Sequence, residues 1–306
     1  MKLLMTGAFN CTAEQKLNIE KLGCKVMFQQ MENEPLSQEM FTVEAVICNG
    51  LFLHNDLDKF PNLKFVQLTS AGLDRVMVDR MSEEGITLFN ARGVYSTPMA
   101  EWALTGVLAL YKNTNTFYSN QQNHKWIKNR NVKELSGSTI CIVGCGSVGT
   151  ECAKMFKPFA KEIIAVDVIE PTNELFDNYY TINNVTQAVK NADVVILTLP
   201  LTDETRNMFN KELLSQFKND AILVNIARGA IVNEEDLINL LKNGQLGGAV
   251  LDVFSTEPLN EESELWNIEN VIVTPHNSFV SPKNNERLYK LIYNNLKEFM
   301  KGEENK

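Results

Sequence analysis

Paired cysteines, histidines and long apolar runs are scarce in this 306-residue chain. It has three histidines, and none of its six cysteines forms a C-x-x-C pair, so the ligand spacing of a structural zinc site is absent. A chain of this length can bury a core without disulfides, which favours reduced thiols and a cytoplasmic protein. The short apolar start, Met1–Gly7, predicts a first strand rather than a signal peptide. No apolar run approaches membrane-spanning length, so we expect no membrane partner. From the histidine and cysteine spacing we also expect no metal site.

Basic residues are also outnumbered, with 29 Lys and Arg against 38 Asp and Glu and a formal net charge of −9. Phosphate contacts require clustered cations, so this balance argues against a nucleic-acid partner. A small anionic substrate needs only one or two local cations and remains compatible with the charge.

Short apolar runs alternate with helical patterns in two similar halves, which predicts parallel sheets covered by helices. In the first half we expect strands at Leu3–Thr6, Lys25–Phe28, Ala45–Cys48, Lys64–Leu68 and Thr87–Phe89. In the second half we expect them at Thr139–Val143, Glu162–Asp167, Val194–Leu199, Ala221–Ile226, Gly248–Val253 and Val271–Thr274. Many of these runs are continuously apolar, as in strands buried on both faces. The predicted fold class is α/β, with two doubly wound parallel-sheet domains.

Three segments outside the strands complete the prediction. Pro98–Lys112 is apolar around much of its circumference, which indicates a buried helix in the core, at a subunit interface, or both. Thr114–Val132 is polar and predicts a surface excursion before the second half. A last helix is expected over Glu286–Met300.

A glycine-rich turn, G-C-G-S-V-G, follows the strand Thr139–Val143 and precedes a helical pattern. This strand–turn–helix context is the one that a dinucleotide-binding fingerprint requires. Gly144 would permit the tight turn, Gly146 would let the backbone approach a pyrophosphate, and Gly149 would let the helix pack close to the strand. The alternative is a glycine-rich turn without a ligand.

Asp167 ends the next predicted strand, 18 positions after Gly149. An acidic side chain there can accept hydrogen bonds from the adenosine ribose, and it would repel a 2′-phosphate. Val168 and Ile169 follow, so no arginine is present to bind that phosphate. The pattern predicts NAD rather than NADP, whereas the alternative for Asp167 is an ordinary loop carboxylate.

Three charged or titratable residues follow the ends of later strands: Arg228, Glu257 and His276. Arginine can hold a substrate carboxylate and polarise a carbonyl, histidine can supply a proton near neutral pH, and a carboxylate behind it would orient the ring. Taken singly, they could instead be a capping arginine, a solvated loop acid and a core histidine. Their joint placement favours reduction of a 2-oxo acid.

These motifs resemble the D-isomer-specific 2-hydroxyacid dehydrogenases, and the resemblance covers nearly the whole chain. The matching segments are Thr69–Asp74, Ala100–Glu101, Thr198–Thr202, Asn225–Gly229, Asp252–Pro258 and Thr274–His276. The resemblance implies a Rossmann NAD-binding domain, residues 97–280, inserted in a flavodoxin-like substrate domain made of residues 1–96 and 281–306. It also implies a homodimer.

The resemblance further implies a role for each matching residue. Arg228 would bind the substrate carboxylate and carbonyl, His276 would be the acid/base, and Glu257 would be its partner. The backbone of Ser70, Ala71 and Gly72 would help bind the carboxylate. The residues expected to hold or line NAD are Gly144, Gly146, Ser147, Val148, Gly149, Asp167, Pro200, Ala227 and Asp252.

The expected activity is therefore NAD-dependent interconversion of a small 2-oxo acid and its D-2-hydroxy acid. Two alternatives stay open. Phosphoglycerate dehydrogenase would need further cations for the substrate phosphate, and Arg75 is the only obvious candidate near the Ser70–Gly72 backbone. A regulator that senses NADH, similar to some corepressors, could keep all three catalytic residues. The sequence does not name the acid or the physiological direction.

Overall fold

The computed structural model describes residues 1–304. Two compact units are present, one formed by Met1–Tyr95 with the residues from Ser281 onward, the other by Ser96–Val280. The strands are β1 Lys2–Thr6, β2 Lys25–Gln29, β3 Ala45–Cys48, β4 Phe65–Leu68, β5 Thr87–Phe89, β6 Ser138–Val143, β7 Ala160–Asp167, β8 Asn178–Thr181, β9 Val194–Leu197, β10 Ile222–Asn225, β11 Gly248–Leu251 and β12 Val271–Val273.

The helices lie between these strands and at the C-terminal end of the described chain. They are α1 Ala13–Lys21, α2 Val78–Glu83, α3 Ser96–Tyr111, α4 Thr114–Gln122, α5 Ser147–Phe156, α6 Val185–Val189, α7 Lys211–Leu214, α8 Glu234–Lys242 and α9 Asn284–Glu304. Within residues 1–304, no helix has both the length and the apolar character needed to cross a membrane.

The first unit contains a five-stranded parallel sheet with the order β2-β1-β3-β4-β5. Strands β3 and β4 are buried along their whole length; β3 is continuously apolar, and β4 is apolar except for Gln67. The core on one side includes Leu3, Ile47 and Phe65, together with Ile292 from α9. The strand order reverses direction between β1 and β3, and this is the doubly wound, flavodoxin-like pattern.

The second unit contains a seven-stranded parallel sheet with the order β12-β11-β10-β9-β6-β7-β8. Its strand order reverses between β6 and β9, as in a Rossmann fold. The carboxyl ends of parallel strands meet at one edge, so the loops after β6, β7, β9, β10, β11 and β12 share that edge. The α/β class with two doubly wound sheets is confirmed.

Helix α3 packs on the seven-stranded sheet, and Ala100, Ala103 and Val107 are fully buried there. A Cβ added to Gly106 would lie 2.5 Å from a methyl group of Val250, so the glycine lets this helix lie close to β11. The burial supports the interpretation of α3 as a core helix.

Two elements differ from the expectation. Strand β8 was not predicted, because it lies at the edge of its sheet, pairs only with β7 and has the half-exposed sequence N-Y-Y-T. Helix α4 lies within the segment expected to be a surface excursion, and no residue of it is buried. Apolar periodicity, on which the prediction depended, is weak in both elements.

Candidate active site

The glycine turn begins directly after β6 and is shaped by close packing. Gly144 has a φ of 93°, and a Cβ there would lie 2.6 Å from the backbone nitrogen of Leu199. A Cβ on Gly149 would lie 2.0 Å from the carbonyl oxygen of Gly144. Both positions therefore require glycine for the fold itself, whether or not a ligand binds.

Gly146 differs from its two neighbours because a Cβ there would meet no protein atom within 4 Å. It is the N-cap of α5, no side chain caps this helix, and its first turn contains no acidic residue. Ser147, Val148 and Gly149 form that first turn, so their backbone N–H groups and the helix dipole offer a site for an anion. An open approach over Gly146 beside such a helix end fits the pyrophosphate of a dinucleotide.

Thr198 supports this turn and was not among the expected site residues. Its hydroxyl donates a hydrogen bond to the carbonyl oxygen of Gly144, and its backbone N–H donates to Val143 at 2.8 Å. Because β9 lies beside β6, the residue after β9 reaches the turn. Pro200, two residues further, is exposed, and its carbonyl accepts a hydrogen bond from the Thr205 hydroxyl at 2.8 Å.

Asp167 is the last residue of β7, next to the glycine turn. Its Oδ2 accepts a hydrogen bond from the backbone N–H of Cys145 at 2.5 Å, and its Oδ1 accepts one from Val168 at 2.7 Å. Burial raises the pKa of the Cys145 thiol to about 12, and the negative charge of Asp167 adds to the rise. Asp167 thus holds the glycine turn in place, a role separate from the hydrogen bonds to the adenosine ribose that the sequence predicts.

The loop after β10 contains Ala227 and Arg228 and is held by Asn225. The side chain of Asn225, 1% exposed, accepts a hydrogen bond from the Ala227 N–H at 3.1 Å and donates to the Arg228 carbonyl at 3.0 Å. A Cβ on Gly229 would lie 1.8 Å from the carbonyl carbon of Phe254, so only glycine allows this packing. The loop after β10 is therefore fixed against the loop after β11.

Glu257 and His276 form a direct ion pair or hydrogen bond, with Oε2 and Nδ1 2.8 Å apart. The other carboxylate oxygen of Glu257 accepts a hydrogen bond from the backbone N–H of Phe254 at 3.0 Å. The imidazole ring packs edge-to-face on Phe279, with centroids 6.0 Å apart. These contacts orient the ring and assign the Nδ1 proton to the side of Glu257, which leaves Nε2 for other chemistry.

Asp252, fully buried, holds the loop on which His276 lies. Its Oδ1 accepts hydrogen bonds from the Thr274 hydroxyl at 2.6 Å and the Asn277 N–H at 2.8 Å, and its Oδ2 accepts one from the Ser278 N–H at 2.9 Å. His276 has a φ of 50°, a conformation that costs energy for a residue with a side chain. The bonds to Asp252 hold the loop in it. Asp252 was expected only to line the cofactor site.

The backbone of Ser70, Ala71 and Gly72 belongs to the first unit and follows β4. The Ser70 hydroxyl donates to the Gly72 carbonyl at 3.0 Å, and the Asn90 amide donates to the Ala71 carbonyl at 2.7 Å. The loop is thus ordered by local hydrogen bonds.

Among residues 1–304, no group of three or more His, Cys, Asp or Glu side chains could hold a metal ion.

The sequence was compared with known protein families and proteins, and the matches indicate one family. Residues 104–278 match the family described as D-isomer specific 2-hydroxyacid dehydrogenase, NAD binding domain. The chain is 34% identical over 266 residues to the hydroxypyruvate reductase of Thermotoga maritima, covering 85% of this chain and 86% of that protein. It is 30% identical over 308 residues to the D-3-phosphoglycerate dehydrogenase of Methanocaldococcus jannaschii, covering 99% and 58%.

A solved structure agrees. The D-isomer specific 2-hydroxyacid dehydrogenase family protein from Aeromonas salmonicida subsp. salmonicida is 28% identical, with a TM-score of 0.84 over 98% of this chain and 96% of that one. The chain belongs to the D-isomer specific 2-hydroxyacid dehydrogenases, a family of NAD-dependent oxidoreductases. The expected family and the expected cofactor, NAD, are thereby confirmed.

Proposed function

We propose that this protein interconverts a small 2-oxo acid and its D-2-hydroxy acid by hydride transfer with NAD. The observation that supports this most directly is the 2.8 Å contact between Glu257 and His276 at the edge of the sheet that also presents Arg228 and the glycine turn. An acid/base pair, a cation and a dinucleotide turn at one sheet edge are the parts that the reaction needs.

Arg228 is proposed to bind the substrate carboxylate and to polarise the carbonyl that is reduced. Its planar guanidinium offers donors in a fork that matches a carboxylate. Asn225 fixes the backbone from which this side chain extends, through the Arg228 carbonyl. In the first unit, Ser70, Ala71 and Gly72 are proposed as substrate-binding residues through their backbone.

His276 is proposed to act as the general acid in reduction and the general base in oxidation. With Nδ1 directed to Glu257, the proton on Nε2 is the one transferred to the forming alkoxide oxygen. Glu257 is proposed to keep the ring in this orientation through its contact with Nδ1.

Bound NAD supplies or accepts the hydride. The first turn of α5, at Ser147–Gly149, is proposed to hold its pyrophosphate, with Gly144 and Gly146 shaping the approach. Asp167 is proposed to bind the adenosine ribose. Pro200, Ala227 and Asp252 are proposed to line the rest of the site.

The test is NADH oxidation with glyoxylate, hydroxypyruvate, pyruvate, 2-oxoisocaproate and phosphohydroxypyruvate. Turnover of one or more acids, abolished in Arg228→Gln, is the expected result. Turnover of phosphohydroxypyruvate alone would indicate the alternative, a phosphoglycerate dehydrogenase. The Methanocaldococcus relative has that name. NADH binding without turnover of any acid would overturn the proposal and favour an NADH-sensing regulator.

A further inference from the structure

A cavity of about 400 Å³ lies in the first unit, beside the edge strand β5 of the five-stranded sheet. Its walls are mostly apolar and are formed by Leu73, Val78, Leu88, Phe89 and Leu291. A volume of this size is within the range of sites that bind small molecules. None of the residues Ser70–Gly72 lines the cavity, so it is a different site from the backbone proposed to bind the substrate.

Two of the apolar walls are in contact with water. Leu73, in the loop after β4, is 37% exposed, and Val78, the first residue of α2, is 39% exposed. Removing apolar surface from water is favourable, so walls of this kind favour an occupant with an apolar group.

Arg92 is the one charged residue that lines the cavity. It is exposed, and within residues 1–304 its guanidinium neither donates a hydrogen bond to the protein nor forms an ion pair. The chain has a net charge of −9, yet no acidic residue lines this cavity. A guanidinium without a protein partner, next to apolar walls, matches a ligand with a carboxylate at one end.

Two amides that also line the cavity are already held by hydrogen bonds. The Asn90 Oδ1 accepts the backbone N–H of Arg92 at 3.2 Å, and the Asn90 Nδ2 donates to the Ala71 carbonyl at 2.7 Å. On α9, the Asn295 Nδ2 donates to the Oε1 of the fully buried Gln67 at 2.7 Å. The backbone that carries Arg92 is therefore ordered without a ligand, and this lowers the entropy lost on binding.

We propose that this cavity binds a small monocarboxylate with a short, branched apolar chain. The carboxylate pairs with the Arg92 guanidinium, and the chain covers the apolar walls at Leu73 and Val78. This inference goes beyond the proposed function and does not depend on it, because none of the residues proposed for hydride transfer lines the cavity.

The test uses 4-methylpentanoate, which has no 2-oxo group and cannot be reduced by a hydride. Because Arg228 is proposed to bind carboxylates as well, the titration is made with NADH-bound Arg228→Gln protein. Four of the five apolar walls are Leu or Val, so methyl NMR of protein labelled at these residue types locates the ligand. We expect saturable shifts of the Leu73, Val78, Leu88 and Leu291 methyl signals, with a Kd of about 1 mM.

Two further substitutions in the same background test the two ends of the ligand. Arg92→Gln removes the guanidinium and is expected to weaken binding by about tenfold or more. Val78→Phe places a larger side chain in the cavity and is expected to weaken binding by about fivefold or more. The matched control is Arg75→Gln, which removes the same charge at an exposed position that does not line the cavity. Its affinity should stay within about twofold.

Two related compounds test the chemical class. The alcohol 4-methylpentan-1-ol has the same chain without the charge, and free leucine adds an ammonium group for which no acidic residue lines the cavity. Both are expected to bind at least about fivefold more weakly than 4-methylpentanoate.

Absence of shifts at the four wall residues would overturn the inference, as would equal affinities in Arg92→Gln and Arg75→Gln. Equal binding of the alcohol and the carboxylate would overturn the assigned class of ligand. Since no turnover is measured, failure of the proposed function would leave each of these outcomes unchanged.

Discussion

The carbonyl oxygen of Asp252 accepts the backbone N–H of His276 at 2.8 Å, while the Asp252 carboxylate binds the two residues that follow His276. One buried acid at the end of β11 thus fixes the loop at the end of β12. The orientation of the proposed acid/base depends on this support as well as on Glu257.

Removing one hydrogen bond of that support is expected to weaken the fold measurably. Thr274→Val deletes the hydroxyl that donates to Asp252 Oδ1, and the free energy of unfolding should fall by about 1.5 kcal/mol. Urea denaturation followed by fluorescence measures this. Thr105→Val, which removes an exposed hydroxyl bonded within α3, is the control and should change stability by less than about 0.5 kcal/mol. Equal effects of the two variants would contradict the prediction.

His276→Ala is expected to slow hydride transfer by a factor of about 10² to 10⁴, because the proton donor for the alkoxide is lost. NADH affinity should change by less than about twofold, since the ring acts on the substrate oxygen. Single-turnover kinetics and a fluorescence titration with NADH measure the two quantities. His54→Ala, at an exposed histidine, should leave both unchanged. A parallel loss of rate and NADH affinity in His276→Ala would argue for a structural role instead.

Asp167→Asn is expected to narrow the preference for NADH over NADPH by about tenfold, since the negative charge that repels a 2′-phosphate is removed. The measurement is the ratio of kcat/KM for the two cofactors with a fixed acid. Glu162→Gln removes the same charge near the other end of β7 and should leave the ratio unchanged. An unchanged ratio in Asp167→Asn would contradict the proposed contact between Asp167 and the ribose.

Substitution of two glycines of the dinucleotide turn by alanine should affect different properties, stability for Gly149 and NADH affinity for Gly146. Gly149→Ala places a methyl group 2.0 Å from the Gly144 carbonyl, so stability should fall by about 3 kcal/mol or more. Gly146→Ala meets no protein atom within 4 Å, so stability should be kept while NADH affinity falls about tenfold. Thermal unfolding and an NADH titration distinguish the two effects. Unchanged NADH affinity in Gly146→Ala would argue against pyrophosphate binding at this turn.

Stability is expected to decrease at high pH through buried thiols. Burial raises the pKa of Cys152 from 9.0 to about 12, and Glu151 adds to the rise. Above pH 9 the unfolded thiol loses its proton while the folded one keeps it, so unfolding becomes more favourable up to about pH 12. This thiol alone should lower the free energy of unfolding by about 1.4 kcal/mol per pH unit in that window. Urea denaturation from pH 8 to 10 should show a shallower slope for Cys152→Ala than for the wild type.

Several parts of the fold could be predicted because they depend on local patterns. Continuous apolar runs identify β3 and β9, and mostly apolar runs identify β4 and β6, since a strand covered by helices on both faces needs mainly apolar side chains. The glycine spacing identifies the turn after β6 because each glycine answers a local steric demand. Strand β8 lacks such a signal, since an edge strand is half exposed.

The candidate site was predicted as residue types at strand ends, and its supports were not. The supporting roles of Thr198 and Asp252 depend on which strands are neighbours in the sheet, whereas Asn225 makes its hydrogen bonds within its own loop. Hydrogen bonds between distant segments follow from strand order, which local periodicity does not contain.

The sequence by itself determined the α/β class, the position of the dinucleotide turn and the family of this protein, because each is written in consecutive residues. Only the tertiary structure decided that the Glu257 carboxylate contacts the His276 ring and that the buried Asp252 carboxylate holds the loop from Thr274 to Ser278. The physical reason is that a hydrogen bond requires two atoms about 3 Å apart, and only the folded chain brings distant residues that close.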